Sequence, residues 1–70
     1  MKTKYDWSNV PEYINFIAAD ADGWAYGYKE MPIRTDSGFH GEFSHYLLKP
    51  QMHGYVGNWQ DSLEGRPNEN

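Results

Sequence analysis

Clustered carboxylates, three histidines and a set of aromatic rings are the residues of this chain whose types suggest chemistry. In Asp20-Ala21-Asp22-Gly23, two acids sit two residues apart beside a glycine, as in oxygen-ligand loops for hard cations. Set on the calcium loop of an EF-hand, Asp20, Asp22 and Gly23 take positions three, five and six. Position one is then Ala18 and position twelve Lys29, so two defining ligands are missing and the string reads as a turn. His40, His45 and His53 carry imidazoles suited to zinc, yet their spacings of five and eight match no ligand pattern. There is no cysteine, which removes thiolate sites and disulfides. Ser8, Ser37, Ser44 and Ser62 lack the strained elbow that activates a serine. Gly23, Gly27, Gly38 and Gly41 open no helix, so no phosphate loop is present. The expectation is a protein with no catalytic residues, no metal and no cofactor, hence not an enzyme.

The aromatic residues carry the stronger signal. Phe16, Trp24, Tyr26 and Tyr28 fall at alternate positions and form one strip. Such a strip could be a stacking platform for bases or sugars. It could equally be a protein-binding patch, since Trp and Tyr dominate interface hot spots. The competing structural role is core, because a domain this small must bury its rings to fold. Trp7 has the same two roles, a ligand anchor or a lid over the hairpin. Trp7, Trp24, Tyr26, Tyr28 and Trp59 are therefore the candidate binding residues.

The element that must position these rings is a β-hairpin over YINFIAADADGWAYGYKEM, residues 13–31. Asp20 at the first turn position can accept from a backbone N–H two residues on, and Asp22 tolerates the third position. Gly23 can then take the left-handed conformation, which costs other residues roughly 1–2 kcal/mol. These features describe a three-residue loop closed by a glycine bulge. Asp20 then faces Trp24, Ala18 faces Tyr26 and Phe16 faces Tyr28. Asn15, Ile17 and Ala19 share the other face with Lys29, Gly27 and Ala25. A two-residue turn on Asp22-Gly23 would instead set Ile17 against Tyr28 and Ala19 against Tyr26. A shift of one residue moves a whole strand face, so the alternatives predict different cores. The three-residue loop is the expected form.

Elsewhere, Pro11 biases Val10 away from helix, and a turn or single 3₁₀ turn is expected there. Pro32 ends the second strand because it cannot donate to a ladder. Ile33–Gly41 contains the loop signal Asp36-Ser37-Gly38. EFSHYLL alternates Phe43, His45 and Leu47 with Ser44, Tyr46 and Leu48, a third strand closed by Pro50. Residues 51–58 read as a mobile loop or short edge strand, and Trp59–Leu63 as one helical turn. The predicted fold is mainly β with a small α+β option. It is a three-stranded antiparallel meander at Tyr13–Ala19, Trp24–Glu30 and Glu42–Leu48, in the order 1-2-3, with an aromatic core and short helical turns near the termini.

Seventy residues bound this to one domain, expected at 1–66 with a disordered tail at 67–70. The net charge of −4 argues against a general phosphate-binding surface, so nucleic acid is not the expected partner. No apolar run approaches a membrane span and no signal peptide is visible, so no membrane partner and a cytoplasmic location are expected.

Asp6-Trp7 to Pro11, the stretch Ile17–Gly23, Pro32, and Trp59–Leu63 with Arg66-Pro67 together resemble small uncharacterised proteins of tailed phages and prophages. The resemblance covers most of the chain and is thinnest over Ile33–Val56. It implies a phage origin, a bacterial host cytoplasm and a dispensable accessory role, and it carries over no catalytic residues. The expected function is a protein-binding module that modulates a host protein. A binder of small ligands or single-stranded nucleic acid through exposed aromatics is the alternative.

Overall fold

Strand β1 (Phe16–Ala19) and strand β2 (Ala25–Tyr28) form the hairpin at the centre of the fold. The structure is a computed structural model and describes residues 3–67. Its register pairs Phe16 with Tyr28, Ile17 with Gly27, Ala18 with Tyr26 and Ala19 with Ala25. This is the register of the three-residue loop. Asp20 N–H donates to Trp24 O at 2.8 Å, and Gly23 N–H closes the turn on Asp20 O at 2.9 Å. Gly23 has φ +93°, where a Cβ would be strained.

The hairpin extends on both sides into an antiparallel sheet, ordered β5-β2-β1-β6, with β5 at Phe43–Leu48 and β6 at Glu64–Gly65. The three expected strands are thus neighbours in the expected order, with the meander enlarged by β6. Strand β5 pairs Leu48 with Ala25, Leu47 with Tyr26 and Phe43 with Tyr28, across a bulge. A second, two-stranded sheet pairs β3 (Ile33–Arg34) with β4 (Phe39–His40), where only a loop is expected from the sequence. Thr35 secures that hairpin, its amide and hydroxyl both donating to Gly38 O at 2.7 and 3.0 Å.

Element boundaries are shorter than the alternation suggests. The first strand starts at Phe16 rather than Tyr13, because Ile14 N–H bonds back to Pro11 O at 3.0 Å and turns the chain. Ile14 is thereby carried to the core, where it fills the space above Gly27 together with Tyr46. Residues 51–58 hold neither an edge strand nor a simple loop, because Pro50–His53 forms a one-turn helix, α1. Pro50 occupies its first turn, where the missing N–H is no loss and the fixed φ suits a helix. The 3₁₀ turns at Trp7–Asn9 and Trp59–Asp61 lie where helical turns are expected. Asp6 caps the first by accepting from Ser8 N–H at 3.0 Å. Of the tail expected at 67–70, residues 68–70 lie outside the described residues.

The core lies against the small-residue face of the hairpin. Ile17, Ala19 and Ala25 cluster with Tyr5, Val10 and Ile14, and Trp7, Tyr46, Leu48 and Tyr55 pack around them. The rings of this cluster, Tyr5, Trp7, Tyr46 and Tyr55, come from segments outside the hairpin, while Tyr28 of β2 is buried on the other face.

Candidate functional site

Two places on the molecule bring polar chemistry and aromatic rings together. The first is the outer face of the sheet, opposite the core. Strand alternation puts Phe16, Trp24 and Tyr26 there, all half-buried, with Tyr28 buried at 4 % exposure. Leu47 lies beside Tyr26 on the neighbouring strand and is 41 % exposed. The β3–β4 hairpin covers the Tyr28 end, where the Tyr28 hydroxyl donates to Phe39 O at 3.3 Å.

Asp20 ties that hairpin down. Its Oδ1 accepts from Phe39 N–H at 2.9 Å, and Ala21 N–H donates to Ser37 O at 3.0 Å. A Cβ on Gly38 would overlap the Asp20 carboxylate, so the approach depends on glycine. The local role expected of Asp20 belongs instead to Asp22, whose Oδ1 accepts from Trp24 N–H at 2.9 Å. Asp20 is drawn away because the β3–β4 hairpin presents an amide that no backbone carbonyl satisfies.

Electrostatics link the two acids to the rings. Burial holds the Asp20 carboxyl above the ordinary carboxylate range; the Phe39 amide opposes this and the Asp22 charge adds to it. Tyr26 is pushed up first by burial, then by Asp22 and Asp20. Tyr28 is pushed up to about 12 by burial, with contributions from Asp20 and Tyr26. Both carboxylates therefore act on the phenols of this face.

The second place is a pocket of about 150 Å³ beside the hairpin tip, with His53, Tyr55 and Trp59 among its walls. His53 Nδ1 accepts from Tyr55 N–H at 3.1 Å, which leaves Nε2 to donate to Gly23 O at 2.7 Å. The imidazole is fully occupied in bracing the turn. Trp59 meets Phe39 edge-on at a centroid distance of 6.0 Å. The volume is below the roughly 300–1,000 Å³ of typical small-molecule sites, and room for a few waters or one side-chain head.

Trp7 stands apart from both places. Its indole N–H donates to Glu64 at 2.8 Å, and the Arg66 guanidinium lies over its ring at 4.9 Å. Arg66 also donates to Ile14 O and Pro11 O, while Lys4 N–H donates to Glu64 and Lys4 Nζ to Leu63 O. This set of contacts fastens the first segment of the chain to the last. The structure thus groups Trp24, Tyr26 and Tyr28 on one face, puts Trp59 at the pocket and Trp7 in the terminal clamp.

Sequence reasoning passed over Ser62, treating it only as a serine without catalytic context. It is fully buried, and its Oγ accepts from Ala19 N–H at 2.7 Å. Its proton is shared between Trp59 O at 2.6 Å and Ala19 O at 3.1 Å. The Tyr5 hydroxyl donates to Ser62 O at 2.8 Å, and burial pushes that phenol far up. Asp20 and Asp22 were weighed as calcium ligands and read as turn formers, and the structure has both accepting from backbone N–H groups.

Among the described residues, no group of three or more His, Asp or Glu is placed to hold a metal ion. No helix among them is long and apolar enough to cross a membrane. No family model, curated protein or solved structure matches this chain.

Proposed function

We propose that this domain is a phage- or prophage-encoded accessory protein that binds a host protein inside the bacterial cell and modulates it. The observation that carries this proposal is the outer sheet face. It presents Trp24, Tyr26 and Leu47 opposite a core that is completed without them. A domain with few apolar residues to spare gains stability by covering such rings, and partly exposed Trp and Tyr are the residue types that anchor protein interfaces. The phage resemblance supports the accessory role and the intracellular setting.

A second proposal, a binder of small ligands or single-stranded nucleic acid, draws on the pocket beside Trp59. The carboxylates of Asp20 and Asp22 and the net charge of −4 weigh against phosphate-bearing ligands. Affinity capture from bacterial lysate on tagged protein separates the two. The expected result is one host protein at stoichiometric yield, lost when Trp24→Ala and Leu47→Ala are combined. Recovery of nucleotides, oligonucleotides or sugars in its place supports the second.

A further inference from the structure

We propose that residues 54–57 form a flap at the pocket beside Trp59, that the His53 imidazole latches its first end, and that protonation of His53 releases it. The latch is independent of which partner the domain binds.

Glycines bound the flap. Gly54 ends α1 at φ +72° and Gly57 has φ +135°, conformations that residues with a Cβ rarely adopt. Such positions absorb changes in φ and ψ, and a Cβ at Gly54 would meet nothing within 4 Å. Gly54, Val56 and Gly57 are exposed, Val56 at 88 %, and Tyr55 alone is half-buried. The Tyr55 hydroxyl donates to Asn58 O at 2.8 Å, at the far end of the flap. Its ring lies 6.0 Å from that of Tyr5, and its N–H donates to His53 Nδ1 at 3.1 Å. Only the last of these contacts has a partner that changes charge near neutral pH.

A backbone N–H can only donate, so the Tyr55 bond fixes the tautomer of His53. Nδ1 is bare, and the ring proton sits on Nε2, where it donates to Gly23 O at 2.7 Å. A second proton has one place to go, Nδ1, and there it points at the Tyr55 N–H. The bond to Gly23 O survives, because Nε2 keeps its proton and becomes a stronger donor. Protonation thus frees the first end of the flap while α1 stays fastened to the hairpin turn. Tyr55 and Gly57 are walls of the pocket, so the release widens it.

The groups around the imidazole do not oppose this step. Tyr5 meets it edge-on at 5.9 Å and donates its hydroxyl to Ser62 O, so it stays uncharged, as does Tyr55 on Asn58 O. Trp59 is an uncharged wall of the same pocket. From the turn come two acids, Asp20 at the pocket and Asp22 beside Gly23, whose carboxylates accept from Phe39 and Trp24 N–H. Their negative charge draws a proton toward the ring. Lys49 stands at the opposite end of α1.

The test follows isotopically labelled protein by NMR from about pH 8 to about pH 5, the range in which histidine ordinarily changes charge. At the upper end the ring nitrogens of His53 should show the Nε2–H tautomer. As this ring titrates, protection of the Tyr55 amide from hydrogen exchange should fall about tenfold, the equivalent of one hydrogen bond. The Ala19 and Asp20 amides, bonded to Ser62 and Trp24, should keep their protection. His53→Asn and His53→Leu have no proton to gain, so neither should show the step. An Nδ1–H tautomer at the upper end, a Tyr55 amide still protected once His53 has titrated, or the same step in either variant would overturn the proposal. A step that tracks the Asp20 carboxyl carbon, whose titration burial moves upward, would overturn it as well. So would a step shared by Ala19 and Asp20, which would mark unfolding of the whole domain.

Discussion

The two faces of the β1–β2 hairpin differ in a way that reverses a simple hydrophobicity ranking. One carries Ile17, Ala19, Ala25 and Gly27, and is buried under Tyr5, Val10, Ile14, Tyr46 and Leu48. The other carries Phe16, Ala18, Trp24, Tyr26 and Tyr28, and the β3–β4 hairpin reaches it at Tyr28 and again at Asp20. Small residues let backbone and rings from distant segments come close, so the dry cluster forms on their side. On the ringed side the β3–β4 hairpin is held by Tyr28 and by Asp20. The face of small residues carries the dry cluster that holds the fold together.

The largest effect that would sharpen this contrast is a truncation on the covered face. Ile17→Ala should cost about 2–5 kcal/mol, because neighbours close only partly around the lost atoms. That is comparable to the ~3–5 kcal/mol such a small core supplies, so circular dichroism should find the variant largely unfolded. Leu47→Ala on the outer face should cost about 1 kcal/mol, in proportion to its partial burial. Equal losses in urea melts for the two variants would erase the distinction between the faces.

Next in size is the bond that joins the covered face to the end of the chain. Ser62→Ala leaves Ala19 N–H buried without its acceptor, and urea melts should show a loss of about 1–3 kcal/mol. A loss near zero would mean that the C-terminal segment does not depend on this hydroxyl. At the turn shared by both faces, Gly23→Val should cost about 1–2 kcal/mol because φ is +93° there. Gly23→Asn should cost less, since Asn visits positive φ more readily. Identical melts for the two would contradict the bulge.

The mildest probe is alkali, which changes nothing at neutral pH. Tyr28 is pushed up to about 12 and Tyr5 higher still, both by burial. Their unfolded values lie near the ordinary 10. Raised folded values mean that the stability they contribute is complete below about pH 10 and declines as pH rises toward 12. Tyrosinate absorbance should therefore show these two rings ionising together with loss of near-ultraviolet circular dichroism. Ionisation of all six tyrosines in one early step, with the fold intact, would place Tyr5 and Tyr28 in contact with water.

The sequence by itself determined what is local. Asp20 through Gly23 specify the turn within four residues, and the turn sets the register of Phe16 against Tyr28. Alternation from Phe43 to Leu48 marks a strand that pairs beside the hairpin, and Trp59–Asp61 marks a helical turn. Alternation also sorts the hairpin residues into two faces. It cannot say which face is covered, because the covering rings of Tyr5, Tyr46 and Tyr55 arrive from segments whose docking is non-local. Strand β6 is two residues long and has no periodicity to read, so its pairing with β1 emerges only when Ser62 and Arg66 find Ala19 and Ile14. Asp20 shows the same division: its backbone makes the turn the sequence announces, while its carboxylate is claimed by Phe39, nineteen residues away. Tertiary structure decided these points because a buried amide takes whichever acceptor the folded chain brings within reach, and sequence distance does not limit that reach.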